Sequence, residues 1–81
     1  MDYYVHFDWG DGLWELLRER DEGDWTTNTT SGLPIAKFET ARAAEKAARA
    51  TPSVFIWRVV RFEDDPKDPF VPRTIIVKEG P

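Results

Sequence analysis

Residues 37–50, KFETARAAEKAARA, constrain this chain more than any other stretch. On a helical wheel at about 100° per residue, Arg42, Glu45, Lys46 and Arg49 gather within an arc of roughly 100°. Six alanines fill the opposite half. Thr40 is a natural N-cap, and Thr51-Pro52 ends the run, because the residue before a proline is pushed out of the α region. Glu45 and Arg49 form a favourable i,i+4 pair, worth only a few tenths of a kcal/mol. A helix of about eleven residues is marginal alone, so it has to dock. Alanine contributes little apolar area. Its use is close approach to a surface whose own side chains are large.

That surface is read from the flanking segments. Tyr3 to Trp9 alternates, with Tyr3, Val5, Phe7 and Trp9 on one side and Tyr4, His6 and Asp8 on the other, which predicts a half-buried strand. Gly10-Asp11-Gly12 tolerates positive φ and reads as a tight turn. Residues 13–20 fit a helical stripe (Leu13, Leu16, Leu17, Arg20) or a strand with Trp14 and Leu16 together and Leu17 opposite. The turn signals on either side, Gly10-Asp11-Gly12 and Asp21-Glu22-Gly23-Asp24, favour the strand. Trp25-Thr26-Thr27 looks extended, residues 28–34 read as a polar loop, and Ile35 to Phe38 re-enters the sheet. Ser53 to Phe62 is the strongest strand: Val54, Ile56, Val60 and Phe62 lie on one face, Phe55, Trp57 and Val59 on the other. Apolar residues on both sides mark it as central. Glu63 to Pro69 reads as an acidic, proline-punctuated loop, and Phe70 to Lys78 as a final strand that Pro72 confines to a sheet edge.

The expected fold is a single α+β domain over residues 1–81: a two-layer sandwich with an antiparallel sheet of four to five strands and one amphipathic helix, about residues 40–51, on one face. With 81 residues and no cysteine, no disulfide or thiolate metal site staples it. Stability must come from the four Trp, five Phe and two Tyr, or from a second copy of the chain. The start of the chain carries no signal-peptide pattern and no run approaches a membrane span. A soluble, cytoplasmic protein is expected. Asn28-Thr29-Thr30 matches a glycosylation sequon, which that location leaves without meaning.

Chemistry is poorly supported. There is a single histidine. A Ser53–His6–Asp8 arrangement is conceivable, but His6 and Asp8 sit two apart on one strand and are neighbours on a face without any catalytic role. The acidic groups Asp21, Glu22, Asp24 and Asp64, Asp65, Asp68 lack the spacing of an EF-hand. Gly10-Asp11-Gly12 lacks the lysine and helix of a phosphate loop. No enzyme, metal or cofactor is expected. Tyr4, Trp57, Arg58 and Arg61 hold some parts of a base-stacking sheet, yet a formal charge of −4 opposes nucleic acid, as it opposes anionic lipid.

One short helix covers only one side of the sheet. An aromatic face left open would form a patch of the kind that marks protein–protein contact, unless segments 21–35 and 63–69 fold back over it. The candidate partner-binding residues are Tyr4, His6, Trp14, Trp25, Trp57, Arg58, Asp64 and Asp65, the acidic ones steering the protein toward a basic or nucleic-acid-handling partner. A structural homodimer burying the same face and a single-stranded nucleic-acid binder are the alternatives.

The layout of a Trp-rich hairpin, then KFETARAAEKAARA leading into SVFIWRVVRFEDD, resembles short accessory proteins of phages and mobile elements in high-GC bacteria, as does the use of Arg over Lys with abundant Ala, Asp, Gly, Pro and Trp. That resemblance implies a protein that binds and blocks a host or defence protein, as anti-CRISPR inhibitors do. FETARAAEKAARA is also similar to one half of the peptidoglycan-binding SPOR repeat, whose second helix and exported location have no counterpart here.

Overall fold

The structure is a computed structural model, and it describes residues 1–29, 32–51 and 56–80. In chain order the elements are β1 (Tyr4–Asp8), β2 (Trp14–Leu16), β3 (Arg18–Asp21), β4 (Asp24–Thr26), α1 (Ala41–Ala50), β5 (Ile56–Asp65) and β6 (Asp68–Glu79). Four of the strands form a curled antiparallel sheet in the order β2-β1-β5-β6, and β3 and β4 form a small second sheet. The expected α+β architecture is what the chain adopts.

The helix is built as its sequence dictates. Thr40 Oγ1 accepts a hydrogen bond from the Ala43 amide at 3.1 Å, and the Thr51 hydroxyl donates to the Ala47 carbonyl at 2.8 Å. Ala44, Ala47 and Ala48 are buried, and they meet Val5, Phe7, Trp57 and Val59 in one core cluster. Small residues on the helix and large ones on the strands let the two layers close together. Arg49 caps the layer from outside, its guanidinium 5.4 Å from the Trp57 ring centre. From β6, Lys78 reaches back to Glu45 at 2.8 Å.

Residues 13–20 are extended, and the alternation is that of the strand reading. Trp14 and Leu16 share one face of the sheet; Leu17, on the other, is 1 % exposed in the core. The chain between the sheets is tied by backbone bonds: Leu17 N–H to Val5 O, Ala36 N–H to Leu17 O, and reciprocal bonds between Tyr3 and Phe38, all 2.8–3.0 Å. Ile35 to Phe38 therefore re-enters the structure as isolated bridges, to Arg18 and Tyr3. Trp25, packed 5.8 Å from Phe38, adds to the helix-side core.

One expectation is overturned. Residues 63–69 are not a loop: β5 runs to Asp65, β6 begins at Asp68, and Pro66-Lys67 alone make the turn. Polar strands need only paired backbone and satisfied side chains, and both are present. Glu63 bridges Arg61 on its own strand and Arg73 across the pair, which holds its carboxyl below the usual range. Asp65 Oδ1 accepts from the Lys67 amide at 2.9 Å, an Asx turn that closes the hairpin. β6 is an edge strand, as Pro72 requires. The Ser53–Phe55 part of the central strand lies outside the described residues.

Candidate protein-binding surface

Strand pairing decides which side chains share the face opposite the helix. His6 is opposite Leu16 on one side and Arg58 on the other; Tyr4 is opposite Val60; Asp8 is opposite Trp14 and Ile56. Phe62 and Val60 pair with Thr74 and Ile76 of β6. Because directly paired residues in a sheet share a face, Tyr4, His6, Trp14, Leu16, Arg58, Val60, Phe62 and Ile76 form one surface.

On it the aromatic groups are in register with one another. Tyr4 and Phe62 rings lie 5.1 Å apart, His6 and Phe62 meet edge-on at 6.2 Å, and His6 and Trp14 are 5.9 Å apart. The Arg58 guanidinium lies 4.0 Å from the Trp14 ring centre and donates through Nε to His6 Nδ1 at 3.2 Å. That bond leaves His6 Nε2 to carry the ring proton of the neutral imidazole. Partial burial, and next the Arg58 charge, lower the His6 pKa from 6.5 to about 4, so the ring is neutral at pH 7. Beneath this layer Val60 is fully buried, although it is absent from the core cluster under the helix. The surface is thus half-buried aromatics with one arginine, rimmed by exposed Ile56 and Ile76.

The described parts of the segments that were the alternative cover lie elsewhere. Trp25 packs on Phe38, and Thr29 donates to Glu15, a residue paired with Phe7 and so on the helix side. Residues 63–69 extend the sheet instead of crossing it.

Four of the eight expected binding residues converge here: Tyr4, His6, Trp14 and Arg58. The other four do not. Trp57 is 3 % exposed and lies beneath the helix. It neighbours Arg58 in sequence, so period-two alternation already forbids both from one face. Trp25 belongs to the core periphery. Asp64 and Asp65 sit at the β5 end of the β5–β6 hairpin, Asp64 two residues beyond Phe62, and among the described residues no hydrogen bond or ion pair ties either to the cluster. Phe62, which is not one of the expected residues, is central to the surface, and its spacing of four from Arg58 along a strand signals it.

The candidate catalytic set has a different geometry. Asp8 Oδ1 accepts from the Gly10 and Gly12 amides at 2.7 and 3.1 Å, which pulls its pKa down and turns it to the loop. His6 is engaged by Arg58, and Ser53 lies outside the described residues. Among the described residues no group of three or more His, Asp or Glu is placed to hold a metal ion, and no helix is long and apolar enough to cross a membrane. The acidic turns serve themselves: Asp24 pairs with Arg20 at 2.9 Å, Asp21 takes the Glu22 amide and Asp68 the Phe70 amide.

No protein-family model matches the chain, and neither the curated proteins nor the solved structures offer a match.

Proposed function

We propose that this protein is a non-enzymatic binding module that occupies a partner protein's surface through the Tyr4–His6–Trp14–Arg58–Phe62 face. The supporting observation is the convergence of those five side chains on the side of the sheet away from the helix. Aromatic residues and arginine are the types that dominate binding energy at interfaces. Their mutual contacts hold the rotamers, which lowers the entropy lost on docking. An inhibitory role toward a host or defence protein, implied by the resemblance to phage accessory proteins, is part of the same proposal.

The test is capture of the partner by wild type, Trp14→Ala and a Glu22→Lys control from lysate of the host organism. A band retained by wild type and control and lost with Trp14→Ala is the expected result; equal recovery by all three refutes the assignment of this face. Trp57→Ala is unsuitable, because it removes a core side chain. Sedimentation over a concentration range separates the homodimer, since a dimer sensitive to Trp14→Ala would make the partner a second copy. A single-stranded nucleic-acid reading draws on the same aromatic platform, and Trp quenching by an oligodeoxythymidine would be its sign.

A further inference from the structure

Among the described residues no counter-charge answers Arg58. Its only hydrogen-bond partner there is a neutral ring. The nearby carboxylates form no ion pair with it. Asp8 is held by the two loop amides. Glu15, on the opposite face, accepts from the Trp9 indole at 3.1 Å and from Thr29 at 3.2 Å. Glu79, the Cα neighbour of Arg58 on β6, forms no ion pair with it. A half-buried arginine is therefore fixed over an indole by its face and tied at Nε to an imidazole, with its Nη groups unpaired among the described residues.

We propose that Arg58 is the recognition point for a carboxylate presented by a partner protein, with an apolar side chain beside that carboxylate covering Tyr4 and Phe62. This rests on the reading of the face as a protein-binding surface and adds what the partner must offer. The guanidinium fork matches a planar carboxylate through two parallel hydrogen bonds, and stacking on Trp14 fixes the plane in advance. Desolvating a lone charge under a partner is costly unless the partner brings its counter-charge. A protein carboxylate suits this face better than a nucleic acid. One cation beside Asp8 and Glu79, on a chain of formal charge −4, cannot offset the several phosphates that a strand brings.

The probe is a set of three short peptides titrated into the 15N-labelled protein, read at the Trp14 indole N–H and the Arg58 Nε–H. The first is end-blocked with a central aspartate between leucines, the second replaces that aspartate by asparagine, and the third has no acidic side chain but a free terminal carboxylate. The expected result is that at least one carboxylate peptide shifts both signals and binds about fivefold or more tightly than the asparagine peptide. Which of the two does so identifies a side-chain or a C-terminal source. Arg58→Gln should abolish the preference, and Arg58→Lys, which keeps the charge without the fork, should retain part of it. Equal binding of all three peptides, no shift with any of them, or a preference that survives Arg58→Gln overturns the proposal. Equal binding leaves the face standing as a purely apolar docking surface. The Trp14→Ala capture experiment decides that broader reading separately.

Discussion

His6 shows how one residue's chemistry is set by its neighbours on a strand. With its folded pKa near 4 against 6.5 for the free side chain, the unfolded chain binds more protons between those values. Stability from His6 is therefore complete above pH 6.5, declines as pH falls, and is gone below about 4. Full conversion of the shift would overstate the effect for a half-buried ring, so a loss of about 1–2 kcal/mol is expected. Asp8, Asp24, Glu45 and Glu63, whose pKa values are also lowered, act in the same direction at lower pH. The window from about pH 5 to 6.5 therefore isolates the histidine. Urea midpoints across that window should fall for wild type and stay level for His6→Gln; parallel curves would refute the assignment. Gly80 makes a second case. Its amide donates to the Trp57 carbonyl at 2.8 Å, and a Cβ placed there would lie 1.9 Å from the indole Cε2. Gly80→Ala must displace a core ring or lift the tail, at a cost of about 1–3 kcal/mol. An unchanged urea midpoint and unchanged Trp fluorescence would contradict that packing. Neither effect is visible in the sequence, since both depend on partners 52 and 23 positions away.

At the scale of elements, legibility followed local self-sufficiency. The helix carries its caps, its period and its stop within a dozen residues, so its sequence reads directly. Ala44→Asp or Ala48→Asp should destabilise by about 3–5 kcal/mol, because each buries a charge against Val5, Phe7 and Val59 with no counter-charge among them. Arg42→Asp, on the exposed side, should change little, and Thr40→Ala should cost about 1 kcal/mol through the lost cap. Thermal melts in which the alanine and arginine variants behave alike would refute the docking. The distal part of β5–β6 was illegible for the opposite reason. Its strand character comes from pairing with a partner strand and from Arg61–Glu63–Arg73, whereas its composition reads as turn. The aromatic face fell between these cases. Alternation gave Tyr4, His6 and Asp8 one side, but which side of β5 joins them depends on the register His6↔Arg58, a long-range fact.

At the scale of the whole molecule, the aromatic face and the outer edge of the sheet are apolar surfaces that differ in kind. The aromatic face is self-packed and half-buried. The outer edge is β6, where Phe70 is 90 % exposed and Val71, Ile76 and Val77 are exposed as well. An open edge strand with apolar side chains is a template for pairing with another chain. Two features blunt it here. Pro69 and Pro72 lack the amide that a new strand would need, and the pairing register with β5 shifts twice, between Val59 and Val60 and between Glu63 and Asp65. Replacing both prolines by threonine, which favours strands and restores both amides, should raise the weight-average sedimentation coefficient relative to the parent and do so more at higher concentration. Adding Trp14→Ala to that variant should leave the association intact, because the edge and not the aromatic face carries it. Sedimentation identical to the parent would mean that the prolines do not guard this edge. Association abolished by Trp14→Ala would mean that the self-contact runs through the face proposed for the partner.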